Sequence, residues 1–279
     1  MVQKVGPVSV EQAIGKYLLL LNDDTICDPS LLRSHLEAQR AHGTEKVAIL
    51  GDFKYPEGAK NRALTYFLSA QPFLFPQVAL QPGYHATNAF FVTCNLSIRR
   101  EAVLAAGSFD PTFRVAEDTE LGIRLIRKGF KVLYVPEARA IHQHLNFTIH
   151  DLVRRAELYG KTAVNLYEKH PSLLEDGKGP FGTLDDKSLG SIRSFSCERA
   201  EEVSAAVEAL SRFDSVDFTS FLSKNLKNKT AADEVMDLFS RSVPIVFWFH
   251  VFRGFLSIWD GGHHSSSASM SALANQVKT

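Results

Sequence analysis

Three short clusters carry residue types able to handle phosphates, cations and protons. Asn22-Asp23-Asp24 comes directly after the apolar run YLLLL (17–21). Acids at the carboxyl end of a buried strand lie where open α/β sheets bind ligands. A carboxylate there can hold a hard divalent cation, and the cation can grip a diphosphate. The same triplet also makes an ordinary turn, since Asn and Asp are turn formers. Glu117-Asp118 opens a helical stretch running to Lys128. A carboxylate fixed at the edge of a cleft can take a proton from an attacking hydroxyl. The plain alternative is a charged first turn favoured by the helix dipole, with Glu120 and Arg124 paired at i, i+4. His142 and His144 flank Gln143. On a strand both imidazoles face one side, and mixed histidine and carboxylate ligation suits Mn²⁺. A pair of exposed or hydrogen-bonded histidines explains them as well.

The elements around these clusters read as alternating strands and helices up to about residue 150, which predicts an α/β sheet. Residues 9–14 read as a short helix capped by Ser9. Residues 17–21 are a strand covered on both faces. Asp28 caps a helix with Pro29 at its first position, and Leu31, Leu32 and Leu36 give it an apolar face ending at Gly43. Strands are expected at 46–50, 89–93, 131–135 and 138–144, with Pro136 separating the last two. Residues 100–106 and 117–128 read as helices, each followed by glycine. Residues 52–83, with four prolines among aromatic residues, read as an irregular excursion over a cleft.

The combination of segments resembles the family 2 glycosyltransferases of the GT-A fold. GKYLLLLNDDTICDPSLL (15–32) is similar to that family's strand and DxD-type motif. FVTCNLSIRREAVLAAGSFDPTF (91–113) is similar to its stretch leading to the acceptor site. AEDTELGIRLIRKGFKVLYVPEARAIHQH (116–144) is similar to its ED helix, following strand and metal histidine. Order and spacing both match. The resemblance implies a partial GT-A, Rossmann-like mixed sheet with flanking helices. It also implies an inverting, metal-assisted transfer of sugar from a nucleoside-diphosphate sugar to a glycan or lipid-linked acceptor hydroxyl. Asp24, with Asn22 or Asp23, would hold Mn²⁺ or Mg²⁺ and the diphosphate. His142 or His144 would add a protein contact to the cation. Asp118 would be the general base, with Glu117 helping to place it or the acceptor, and Arg124 would orient the acids.

Two departures qualify the resemblance. Asn22 stands where the motif's first acid is expected, and a neutral oxygen binds a cation less strongly than a carboxylate. Residues 1–10 do not resemble the family's opening strand. The expectation is therefore a domain that lacks its nucleotide-base-binding front and exposes a sheet edge, with base recognition either absent or supplied by a partner that provides the missing portion. A second reading follows: a truncated, catalytically inactive relative that binds metal or a partner. A nucleotidyltransferase would need a Gly-rich phosphate loop at a strand end, and none is found.

The expected organisation is a GT-A-like region over 1–150, a helical extension over 151–260 and a disordered tail over 261–279. Within the extension, helices are expected at 151–169, 199–212 and 231–240, with a Gly, Asp and Ser-rich linker over 176–191. Lys plus Arg and Asp plus Glu are equal at 31 each, so no basic excess calls for nucleic acid. Three scattered cysteines and no apolar leader fit a reducing compartment, the cytoplasm. Residues 243–259 are intensely apolar but broken by Pro244, His250, Arg253 and Gly254. They read as a helix buried against the protein, with His250, Arg253 and Ser257 on one stripe. The alternative is an interfacial helix giving peripheral membrane contact.

Overall fold

The computed structural model describes residues 7–42, 46–56, 62–69, 80–85, 91–143, 147–224 and 229–261. It divides into two units, Met1–Asn146 and Phe147–Thr279.

In the first unit the chain runs α1 (Pro7–Gln12), β1 (Tyr17–Leu21), β2 (Thr25–Cys27), α2 (Leu31–Ala41), β3 (Val47–Lys54), α3 (Ala63–Ser69), β4 (Gly83–His85), β5 (Asn95–Arg99), α4 (Arg100–Ala105), α5 (Glu117–Arg127) and β6 (Lys131–His142). The described strands form one mixed sheet in the order β1-β5-β3-β6-β2, with β4 also paired to β6. β5 runs antiparallel to β1 and β3, whereas β3 and β6 are parallel. β1, β3 and β6 therefore share a direction, and the carboxyl ends of β1 and β6 lie toward the same side of the sheet. The fold is the α/β mixed sheet with flanking helices that the sequence predicts.

Period-two alternation sends side chains to two faces. Leu18, Leu20, Leu96, Ile98, Ala48 and Leu50 pack with Val103 of α4 and Leu121 and Leu125 of α5. Leu19 and Leu21 turn the other way, toward Leu31 of α2 and Phe53, Ala138 and Ala140. Here α2 differs from expectation. Leu31 is fully buried, but Leu32 and Leu36 are exposed, and the buried stripe continues through His35 and Gln39. Polar groups can be buried when they are hydrogen-bonded, and both residues find partners on β5, described below.

Other boundaries shift for local reasons. α1 starts at Pro7, so Ser9 is not its cap. Asp28 does not cap α2 directly. Its Oδ1 accepts from the Ser30 amide at 2.9 Å and the Ser30 hydroxyl at 2.6 Å, forming a turn that ends where α2 begins. The hydroxyl bond, the largest cause, and the amide bond hold its carboxyl below the usual range. Residues 91–93 are not a strand, and the strand begins instead at Asn95. Pro136 does not divide 131–142, which is one strand. It lies at a register shift, where β6 passes from the pair Val135–Gly51 to the pair Arg139–Asp52. Proline is tolerated within sheets at bulges, where no ladder N–H is required of it. Part of the supposed irregular excursion is α3, whose Ala63, Leu64, Phe67 and Leu68 are buried. Gly43, much of 52–83, His144 and the tail 262–279 lie outside the described residues.

In the second unit, α6 (Ile149–Lys169) is followed by a 3-10 turn (Pro171–Leu174), α7 (Asp186–Glu198), α8 (Ala200–Ser211), α9 (Phe218–Lys224) and α10 (Lys229–Trp259). The last part of the expected linker, 186–191, is the start of α7. Asp185 and Ser188 form a capping box there, so the Asp and Ser residues read as linker start a helix. α10 is one 31-residue helix that continues through Pro244. Its 233–259 part is long and apolar enough, by length and composition, to cross a membrane. Half of its most apolar 18-residue stretch is buried within the protein. His250, Arg253 and Ser257 share one stripe of this helix, but Arg253 and Ser257 are exposed whereas His250 is buried, its Nδ1 3.2 Å from Glu157 Oε1 on α6.

Candidate active site

Asn22, Asp23 and Asp24 link β1 to β2 in a tight turn. The turn cannot place a functional site alone, and it gains its partner from the register of β2 on β6. Thr25 pairs with His142 in the antiparallel ladder, and the Gln143 amide donates to the Asp24 carbonyl at 2.7 Å. The imidazole of His142 is thereby brought over the turn. Its Nε2 lies 3.2 Å from Asp24 Oδ1 and 3.0 Å from Asn22 Nδ2. His142 is buried and flanked by the rings of Phe53 and Tyr55, whereas Asp24 is part-exposed and Asp23 is exposed. The site therefore has a sheltered nitrogen and a carboxylate that the outside can reach.

A divalent cation fits this pair. Two ligands at right angles on a cation with bonds of 2.0–2.2 Å stand about 3 Å apart, close to the observed 3.2 Å. One nitrogen and one anionic oxygen suit a borderline ion such as Mn²⁺. Among the described residues no group of three or more His, Cys, Asp or Glu side chains gathers around one point. The other proposed metal histidine, His144, is not among them.

Asp118 is held at the start of α5. Its Oδ1 accepts from the Thr119 amide at 2.7 Å, and its Oδ2 faces the Thr93 amide at 3.4 Å. The preceding Ala116 takes a left-handed conformation, φ +57°, which is strained for a residue with a side chain. Such strain persists where surrounding structure enforces it. Here the Ala116 carbonyl accepts from the Glu120 amide at 2.9 Å, fastening the bend to the helix. Glu117 stands next to Asp118 and is half-buried.

Arg124 makes the i, i+4 pair of the plain alternative. It pairs with Glu120, which is fully buried, through Nε at 2.9 and 3.1 Å and through Nη2 at 2.6 Å. Its remaining donors reach the carbonyls of Ala106 and, at 2.6 Å, Ser108. These close a turn in which Gly107 and Ser108 both have positive φ. The arginine thus ties α5 to the 106–108 turn.

Sequence reasoning missed the network beneath the site. Asn95 Nδ2 donates to the carbonyls of Asp52 and Ala138, each at 2.8 Å. This fixes its amide orientation, so its Oδ1 accepts from His35 Nε2 at 2.8 Å. The neutral ring then accepts at Nδ1 from the Ser97 hydroxyl at 2.9 Å, and Ser97 Oγ accepts from Gln39 at 3.1 Å. Burial lowers the pKa of His35, against the opposing bond to Asn95. The chain of bonds runs from α2 through β5 to the register shift that sends β6 on to His142. The only signal in sequence is the i, i+4 spacing of Leu31, His35 and Gln39.

Comparison with known proteins bears on the same segments. A family model described as "Glycosyl transferase family group 2" matches residues 17–172. "Pre-mycofactocin glycosyltransferase" of Mycobacterium tuberculosis is 32% identical over 87 residues, covering 31% of this chain and 18% of that protein. "O-antigen biosynthesis protein RfbC" of Myxococcus xanthus is 33% identical over 147 residues, covering 48% of this chain and 11% of that protein. The chain spans less than a fifth of the length of these curated relatives.

Proposed function

The chain belongs to the family 2 glycosyltransferases, and from that membership we propose that it transfers a sugar, with inversion, from a nucleoside-diphosphate sugar to a hydroxyl of a glycan or lipid-linked acceptor. The observation that most supports this reading is the meeting of Asp24 and His142, 118 positions apart in sequence, at 3.2 Å. In this reading Asp24 and His142, with Asn22 or Asp23 and with His144 as a further candidate, hold a divalent cation. Bound there, the cation supplies positive charge against the departing diphosphate.

The rest falls to the chain's own carboxylates. Asp118 takes the proton of the acceptor hydroxyl as its oxygen bonds to the anomeric carbon. The bond from that carbon to the diphosphate oxygen breaks, and its electron pair leaves with the diphosphate. The Thr93 and Thr119 amides keep the Asp118 carboxylate aimed while it is charged. A single displacement by the acceptor gives inversion. The name of the Myxococcus relative supports a saccharide acceptor. Among the described residues no two cysteines form a disulfide, in keeping with a reducing compartment.

Thermal unfolding with UDP, GDP, dTDP or CMP, each with and without Mn²⁺, tests the donor site. A native-state ligand raises stability by mass action. The expected result is a Mn²⁺-dependent rise with one nucleotide that is lost in Asp24→Ala and in His142→Ala. A cooperative unfolding transition that no nucleotide moves would overturn the reading and leave the non-catalytic alternative.

A further inference from the structure

The amino ends of β1, β3 and β6 share one side of the sheet, opposite the end that carries Asp24 and Asp118. Lys16 precedes β1, Lys46 precedes β3 and Lys131 opens β6. The Lys131 amide donates to the Lys46 carbonyl at 2.9 Å. α2 and α5 end shortly before β3 and β6, which brings Arg40 and Lys128 to the same rim. Lys46 Nζ donates to the Lys128 carbonyl at 2.8 Å. Each of these basic residues is exposed. Lys16 lies over the Tyr17 ring at 5.4 Å and Lys131 over the Tyr84 ring at 5.7 Å. A ring face or a carbonyl holds an ammonium group without cancelling its charge. Arg99, in the same row, is instead offset by Glu101 at 2.9 Å. Helix dipoles account for Arg40 and Lys128 at helix ends, but not for Lys16 and Lys131 at strand starts. In a chain with equal numbers of acids and bases, positive charge thus gathers at this rim, and Asp23, Asp24, Glu117 and Asp118 gather at the other end.

We propose that this rim docks on an anionic lipid membrane. Neighbouring strands stand about 4.8 Å apart, so Lys16, Lys46 and Lys131 spread along an edge rather than converge on one point. A single phosphate cannot reach them all, whereas a charged lipid surface can. Ile14, in the loop that leads into Lys16 and β1, is 100% exposed. An acidic peptide would answer the lysines and leave Ile14 in water. A bilayer answers the lysines with its head groups and takes the isoleucine into its apolar layer. Tyr84, 44% exposed with its hydroxyl 2.6 Å from His42 Nδ1, has the apolar body and polar tip that suit the boundary between them. Docked by this rim, the sheet turns its Asp118 end to water. The surface lies apart from α10 and is independent of the proposed sugar transfer.

Sedimentation of the full chain with phosphatidylcholine vesicles, alone and with rising fractions of phosphatidylglycerol, tests the proposal. Binding should rise with the anionic fraction and fall away in about 1 M salt, where the screening length is about 3 Å. Arg40→Ala and Lys131→Ala should each weaken it about fivefold, and Ile14→Ser about tenfold. Each position is exposed, so the unfolding temperature should stay that of the parent. Lys187→Ala, the same charge change at an exposed position of α7, should leave binding unchanged. Equal binding to neutral vesicles, or none to anionic ones, would overturn the proposal. So would parental affinity in the Arg40, Lys131 and Ile14 variants together with a loss in Trp248→Ser, which would assign the contact to α10. Capture of soluble polyglutamate without binding to vesicles would assign the rim to an acidic protein and overturn it as well.

Discussion

The side-chain amide of Asn95 donates to the carbonyl oxygen of Ala138 at 2.8 Å, and to that of Asp52 at the same distance. One residue of β5 thus fastens both sides of the register shift between β3 and β6. Beyond that shift β6 pairs with β2 and carries His142 to Asp24.

Asn95→Leu removes the donor to two carbonyls and the acceptor for His35. Leaving buried polar groups without partners costs about 1–3 kcal/mol each, so a loss of about 3 kcal/mol is expected. Urea unfolding of the variant against the parent measures it. A loss well under 1 kcal/mol would mean that other groups hold the register shift.

Two glycines should respond to alanine with opposite signs. A Cβ on Gly51 would fall 2.3 Å from the Ala138 carbonyl oxygen and 2.3 Å from Asn95 Nδ2. The carbonyl is backbone and cannot swing away, so Gly51→Ala should destabilise by about 1–3 kcal/mol. Gly190, inside α7, has nothing within 4 Å of its would-be Cβ. Gly190→Ala should stabilise by about 0.5–1 kcal/mol, because glycine weakens a helix interior. Denaturation midpoints of both variants check the pair.

Asp118→Asn keeps the size of the side chain but removes the proton acceptor. Sugar transfer should fall about 10²–10⁴-fold, with an unfolding temperature close to that of the parent. Retained transfer in a folded variant would remove Asp118 from the role of base.

His35 makes the first unit sensitive to mild acid. Its pKa is below the ordinary 6.5 in the folded chain, because burial disfavours the charged ring. The unfolded chain takes up a proton that the folded chain refuses. The contribution to stability is therefore whole above pH 6.5 and declines as pH falls below it. Unfolding free energy followed from pH 7.5 to 5.5 should decrease, and the decrease should be shallower in His35→Gln. Equal slopes in the two proteins would contradict this account.

The sequence by itself determined what depends on local chemistry and period. The apolar run of β1 ending in Asn22-Asp23-Asp24, and the acids opening α5, stand where the pattern predicts. A continuous apolar run demands cover on both faces, and acids in a first turn complement the helix dipole. The tertiary structure alone decided which distant groups meet. Asp24 and His142 come together only through the pairing of β2 with β6. His35 and Gln39 could become core residues only because Ser97 and Asn95 wait on β5 to bond them. Pro136 could lie within a strand only because a register shift relieves it of a ladder partner. In each case the deciding partner is far away in sequence, where no local period can register it.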